Sequence, residues 1–171
     1  MRKRVYVDTN LILTAHAHRL WKEIAFRHRV ETVVQCVLET HTGLQNRDPE
    51  TWIDDRELRT SLARPPHEVT DLQRARVLLM EGGPALHDGE RDLWAHALDD
   101  PEAWLASGPD TASNRFGILN GHADRLVSLE DLVAHRKGFA RIGVPSHYCR
   151  KWLGELKTRE LTALLSRSGT K

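Results

Sequence analysis

Long apolar runs are missing from this chain, and that excludes one class of protein at the outset. Hydrophobic residues make up 40% of the 171 positions, but no stretch approaches the roughly 18 to 20 residues that cross a bilayer. The basic start MRKR leads directly into a strand-like segment, without the apolar region and cleavage site of a secretory signal. A soluble protein is predicted, and the cytoplasm is its expected location.

Cysteine is scarce as well. Cys36 and Cys149 are far apart in the sequence, and neither belongs to a CxxC pair or to a histidine pattern typical of zinc sites. The ten histidines offer no better spacing, since His16 and His18 are two residues apart and do not share a helix face. We therefore expect two reduced thiols and no zinc site.

An excess of charge of either sign is also absent. The 25 basic and 24 acidic side chains leave a net charge of +1, so only local patches could attract nucleic acid. The runs HRK at His135 and HYCRKW at His147 combine groups suited to phosphate contact and base stacking. A solvated helix face with Trp152 buried explains the same residues equally well.

What the chain does contain is an alternation of short apolar runs and amphipathic segments. RVYV, at residues 4–7, is typical of a buried strand, and further strand candidates lie at 30–34, 103–107 and 126–127. Strands that alternate with helices predict a single α/β domain with a parallel sheet.

Helix boundaries are marked by capping residues. Thr9 or Asn10 is expected to cap the first helix, and Thr70 with Gln73 forms a capping box before a helix that stops at Gly82 and Gly83. Three more helices are predicted after Asp48 with Pro49, Asp110 and Ser128.

Carboxylates follow two of the predicted strands. Asp8 and Asp110 lie at strand ends, and the carboxyl ends of parallel strands meet at the edge where α/β proteins bind ligands. Glu39 lies near the beginning of a helix, predicted from Val37 to His41, that is expected to pack on the sheet, and Asp92 lies on an apolar helix face. Taken one at a time, Asp8 and Asp110 could be simple helix caps and Glu39 a solvated helix residue.

Together, these acids predict a metal site. Crowded carboxylates stay ionised at neutral pH only when a cation compensates them, and oxygen ligands suit Mg²⁺ or Mn²⁺. Such a site can activate water and stabilise an in-line phosphoryl displacement.

The ordered segments VYVDTN, VVQCVLET, DGERDLWAHAL and LASGPDTASNRFGI resemble the PIN-domain ribonucleases, particularly the VapC-like toxins. The resemblance spans Val5 to Leu132. It implies that the family's metal-binding acids correspond to Asp8, Glu39, Asp92 and Asp110.

Supporting roles follow from the same resemblance. Asn10 matches a polar residue that helps to hold the first acid, and Thr111 and Asn114 lie where family members often carry another acid or a hydroxyl. The segment DGERD leaves a choice between Glu90 and Asp92 for the third acid. The helix phase relative to Leu93 and Ala97 favours Asp92.

The resemblance implies a three-layer α/β/α fold with a parallel sheet of four or five strands. Residues 1–135 would form the PIN-like nuclease domain, and residues 136–171 a helical extension packed on it. The implied activity is Mg²⁺- or Mn²⁺-dependent endoribonuclease cleavage by the toxin of a type II toxin-antitoxin pair. An antitoxin, an RNA substrate and a homodimer are the implied partners.

Other functions remain open on the sequence. A catalytically inactive PIN-like scaffold would bind RNA or protein without taking up metal, and a DNA or structure-specific nuclease would use the same acids. The charged segment 48–66 and the tail after His135 depart from the shortest toxins. Each could bind a partner or RNA, or simply cover the core.

Overall fold

The computed structural model describes residues 2–42, 52–109, 111–133, 139 and 142–168. Its sheet has three parallel strands in the order β2-β1-β3. These strands are β1 (Arg4–Val7), β2 (Arg29–Glu31) and β3 (Trp104–Ala106). The first strand is therefore central, and Val5 pairs with Val30 on one side and with Trp104 on the other.

Helices follow and separate the strands. In chain order they are α1 (Thr9–Ala17), α2 (Trp21–Arg27), α3 (Val34–His41), α4 (Asp55–Ser61), α5 (Asp71–Leu78), α6 (Asp88–Ala97), α7 (Thr111–Leu119), α8 (Leu129–Leu132) and α9 (Arg150–Ser168). In the described ranges, none of them is long and apolar enough to span a membrane.

Alternation along β1 produces the three layers. Val5 and Val7 point to one face, where they pack with Leu11 of α1 and Ile24 of α2. Tyr6 points to the other face, into a second cluster that includes Leu93 and Trp94 of α6 and Phe116 of α7. The predicted α/β class with a parallel sheet is thus present, with helices on both sides.

The predicted number of strands is wrong for the part of the chain that the structure describes, which holds three rather than four or five. At the expected fourth position, Leu126 forms a single parallel bridge with Leu105, and the amide of Val127 donates to the carbonyl of Leu105 at 3.0 Å. Pairing ends there because Ser128 caps α8 through a capping box with Asp131.

Two predicted caps are confirmed, and one is wrong. Thr70 with Gln73 begins α5, and Ser128 begins α8. For α1 the cap is Asp8 rather than Thr9 or Asn10, since the Asp8 side chain accepts from the amide of Leu11. The predicted start at Asp48 and Pro49 lies outside the described residues.

The charged segment 48–66 and the tail after His135 both contribute to the hydrophobic core in the parts that the structure describes. Ile53, Leu58 and Leu62, in and around α4, are buried in the cluster on the Val5 face. Leu153 and Leu156 of α9 are buried in the cluster that contains Phe116, so the C-terminal helix packs against the rest of the chain.

Candidate active site at the carboxyl edge of the sheet

Asp8 occupies the carboxyl end of the central strand and is 2% exposed. Its Oδ1 accepts from the amide of Leu11 at 2.7 Å, which caps α1. Its Oδ2 accepts from the Ser107 hydroxyl and from the amide of Gly108, both at 2.6 Å. The loop after β3 therefore fixes the carboxylate that β1 delivers to this edge.

Opposing effects set the protonation of Asp8. Burial raises the pKa of its carboxyl above the ordinary value, and hydrogen bonds from Gly108, Ser107 and Leu11 act against burial. The charge of nearby Glu39 raises the pKa further. A cation beside Asp8 and Glu39 would offset the cost of burying an ionised carboxylate and would reduce the repulsion between the two acids.

Glu39 reaches the same edge from α3. Its Oε2 accepts from the Thr9 hydroxyl at 2.7 Å, and Thr9 follows Asp8 in the chain. Its Oε1 accepts from the amide of Gly89 at 3.0 Å and from the Gln35 amide group at 3.3 Å. Glu39 thus lies between the first residue of α1 and the first turn of α6.

The two carboxylates fit a hard divalent cation by their chemistry. Each carboxylate oxygen offers about two lone-pair positions, and the described donors use one on Asp8 Oδ1 and one on Glu39 Oε2. Each of these oxygens can therefore accept one further contact with respect to the described residues. Oxygen donors of this kind are those that Mg²⁺ and Mn²⁺ prefer.

Asp92, by contrast, is engaged elsewhere. Its Oδ1 accepts from Nε of Arg74 at 2.7 Å and its Oδ2 accepts from Nη2 at 2.9 Å. The side chain of Asp92 is 7% exposed, so this two-point ion pair joins α6 to α5 in a mostly buried place. The described contacts do not bring Asp92 to Asp8 and Glu39.

Glu90 lies on a different side of α6. It is 6% exposed, and its Oε2 accepts from the amide of His87 at 3.3 Å. One turn later, on the same face, the Trp94 indole donates to Ser113 of α7. Of the two acids that the sequence left open, Glu90 thus shares a helix face with Trp94, and its neighbour Gly89 contacts Glu39.

The last predicted acid, Asp110, lies outside the described residues. Thr111 is the first residue of α7 and is exposed. Asn114 is buried and donates from Nδ2 to the carbonyl of Gly108 at 3.4 Å. Because the amide of Gly108 holds Asp8, Asn114 supports the first acid indirectly.

Asn10 is placed beside the same loop. A Cβ on Gly108 would lie 2.3 Å from the Cβ of Asn10, so this close approach requires glycine. The carbonyl of Asn10 accepts from the Tyr148 hydroxyl at 3.3 Å. The hydrogen bonds that hold Asp8 come from other residues, and a direct role for the Asn10 side chain stays a prediction.

Four contacts of the site were not predicted from the sequence. They involve the hydroxyls of Thr9 and Ser107 and the amides of Gly89 and Gly108. Ser107 ends the predicted strand 103–107 and Gly108 follows it, which was a usable signal. Which backbone amide meets which carboxylate depends on pairing between distant segments.

Within the described ranges, no group of three or more histidine, cysteine, aspartate or glutamate side chains is arranged to hold a metal ion. Comparisons of the chain with protein-family models, with curated proteins and with solved structures give no match. Function is therefore inferred from the residues of this chain.

Proposed function

We propose that the chain is a Mg²⁺- or Mn²⁺-dependent endoribonuclease of the PIN type. The observation that carries the proposal is the proximity of two carboxylates at the carboxyl edge of the central strand: the charge of Glu39 acts on Asp8, and Thr9, the next residue after Asp8, donates its hydroxyl to Glu39. Ligands of parallel α/β sheets bind at this edge.

Asp8 and Glu39 would hold the ion, and the further ligands that the resemblance implies are Asp110 and one acid of α6, either Glu90 or Asp92. When bound, the ion supplies Lewis-acid stabilisation of phosphate charge and a more acidic water. The chain itself orients the carboxylates: Ser107 and Gly108 fix Asp8, and Thr9 and Gly89 fix Glu39. Carboxylates held in this way need no rearrangement to accept the ion.

The biological setting follows from the resemblance to VapC-like toxins. We propose an RNA substrate, a homodimer, a cytoplasmic location and control by an antitoxin of a type II pair.

A second candidate is a catalytically inactive PIN-like scaffold that binds RNA or protein. The Arg74–Asp92 ion pair favours it, because one of the predicted acids is already neutralised by a protein cation. A scaffold would keep the fold and bind its partner without taking up metal.

Metal-dependent cleavage of a single-stranded RNA is the direct test, measured with Mn²⁺ and with a chelator. Glu39→Gln is the principal variant, since the glutamine oxygen can still accept from Gly89 and the amide can donate to Thr9. Asp8→Asn is the second variant, although its amide would face N–H donors and weaken the fold. Circular dichroism checks that each variant folds.

The matched control is Asp99→Asn, which removes a half-exposed acid from the end of α6. We expect cleavage by the wild type and by this control, and loss of both cleavage and calorimetric Mn²⁺ binding in folded Glu39→Gln. RNA binding without Mn²⁺ uptake by the wild type would establish the scaffold instead. Equal or faster cleavage of a matched DNA would establish a DNA or structure-specific nuclease.

A further inference from the structure

A groove lies at the opposite edge of the sheet, where the strands begin. Its volume is about 810 Å³, and its lining includes Arg2, Phe26, Arg27, His28, Trp104 and Asp131. Arg2 precedes β1, and Trp104 is the first residue of β3. This groove and the candidate active site therefore lie at opposite ends of the strands.

Aromatic rings are accessible in this groove. Phe26 of α2 is 79% exposed, which is unusual for a large apolar side chain. Trp104 is half-buried, and the His28 ring lies 6.1 Å from it at an angle of 49°. The His28 ring is anchored by a 3.0 Å hydrogen bond between Nε2 and the carbonyl of Leu132.

Positive charge surrounds the rings. Arg2 donates from Nη1 to the carbonyl oxygens of Ala25 and Phe26 in the last turn of α2, and no described carboxylate is paired with it. Lys3 places its ammonium 5.5 Å from the centre of the Trp104 ring. Arg27 is paired with Glu23 at 3.2 Å.

The carboxylate among these lining residues is already compensated. Asp131 accepts from the backbone and hydroxyl of Ser128 and forms an ion pair with Arg150. Burial alone would raise the pKa of Asp131, but the bonds from Ser128 and Arg150 outweigh it and lower that pKa. The groove is left with a net positive charge from Arg2 and Lys3.

We propose that this groove binds single-stranded RNA, with unpaired bases stacked on Phe26 and Trp104 and phosphates beside Arg2 and Lys3. Exposed rings interleaved with cations are how proteins bind single strands, because every base has a face to stack. In a duplex, these faces are covered by the neighbouring base pairs. The choice of RNA over DNA rests on the proposed function.

The position of the groove gives it a role. Arg2 and Asp8 are six residues apart on a nearly extended strand, which corresponds to about 20 Å. An RNA strand bound at the amino edge of the sheet can extend round the sheet to the acids at the carboxyl edge. The groove would therefore hold RNA at a distance from the scissile bond and raise affinity without taking part in the chemistry.

The test is fluorescence anisotropy with a labelled single-stranded RNA of about 12 nucleotides, with a chelator present so that cleavage does not interfere. Phe26→Ala and Arg2→Ala are the variants, and both side chains are exposed, so the fold should survive. The controls are Leu79→Ala, at an 89% exposed apolar position directly after α5, and Arg159→Ala on α9.

We expect Phe26→Ala to weaken RNA binding by at least about fivefold, as loss of one stacked base implies. Arg2→Ala should weaken binding and reduce its dependence on salt. The two controls should bind as the wild type does.

Wild-type affinity in both groove variants would overturn the proposal, and so would equally tight binding of duplex RNA. Equal affinity for a matched single-stranded DNA would overturn the choice of RNA. Failure of the proposed chemistry is recognised separately, because retained cleavage in folded Glu39→Gln leaves the binding result intact.

Discussion

The two edges of the sheet differ in how tightly they hold their functional groups. At the carboxyl edge Asp8 is 2% exposed and makes three hydrogen bonds at 2.6 to 2.7 Å. At the amino edge Phe26 is 79% exposed, and Arg2 is held by two bonds to helix carbonyls. One edge is preorganised, and the other is adaptable.

This difference matches two kinds of task. Chemistry needs groups fixed within a fraction of an ångström, and their burial strengthens electrostatic effects. Contact with a flexible polymer tolerates side chains that adjust, because stacking and charge attraction depend weakly on exact position. Substitutions at the carboxyl edge should therefore change rates, whereas substitutions at the amino edge should change affinity.

The largest expected effect tests which acid of α6 belongs to the carboxyl edge. Glu90→Gln should reduce metal-dependent cleavage by about 10²-fold or more, since a metal ligand contributes several kcal/mol to charge stabilisation. Initial cleavage rates at saturating Mn²⁺ measure it. Rates unchanged in a folded Glu90→Gln protein would contradict the assignment.

Asp92→Asn is the matched comparison on the same helix. It should leave the cleavage rate of the folded protein within about threefold of the wild type. It should instead lower the free energy of unfolding by about 1–2 kcal/mol, because Arg74, whose side chain is 39% exposed, loses its two-point partner. A large loss of rate with full stability would restore Asp92 as the third ligand.

A smaller effect is expected from one methyl group at the carboxyl edge. In Gly89→Ala the new Cβ would lie 2.5 Å from Oε2 of Glu39, so the carboxylate must move. Mn²⁺ affinity measured by calorimetry should fall by about tenfold, as it does when the support of a ligand is disturbed. Gly154→Ala in α9 is the control, since a Cβ there meets nothing within 4 Å.

The smallest effect concerns pH and compares the two ends of α1. Asp8 at its start accepts three hydrogen bonds, whereas Nε2 of His16 in its last turn is buried without a hydrogen-bond partner among the described residues. Burial lowers the pKa of His16 from 6.5 to about 4. The ring stacks on Trp21 with its centre 5.0 Å away.

Between pH 4 and pH 6.5, His16 binds a proton in the unfolded chain but not in the folded chain, so stability rises with pH. The contribution is complete above pH 6.5 and is lost as the pH falls towards 4. Between pH 7 and pH 5 we expect His16 to account for a loss of roughly 1 kcal/mol, allowing for partial exposure. Urea unfolding of His16→Phe should show a correspondingly smaller loss, and an identical pH dependence would contradict the assignment.

Local features of the fold were predictable from the sequence. In RVYV, residues 5–7 are apolar because the strand is central and buried on both faces. Thr70 and Gln73 mark the start of a helix because they hydrogen-bond to each other's backbone. The absence of a fourth strand from the described sheet was not predictable. Leu126 has strand character, but its pairing stops after one bridge because Ser128 starts a helix immediately.

The candidate site was predictable in part, for a similar reason. Asp8 and Glu39 are located by strand and helix order, which the sequence displays. Asp92 is paired with Arg74, eighteen residues earlier in the chain, and its apolar neighbours Leu93 and Ala97 carry no sign of that partner. The donors to Asp8 include a backbone amide, which no residue type reveals.

The bonds from Ser107 and Gly108 to Asp8 span 99 and 100 positions of the chain. A ribosome must therefore have released more than half of the protein before the first acid finds the groups that hold it. In a nascent or truncated chain that ends before Ser107, Asp8 would lack two of the three donors that hold it, so we expect the candidate site to assemble only after residues 107 and 108 have been made.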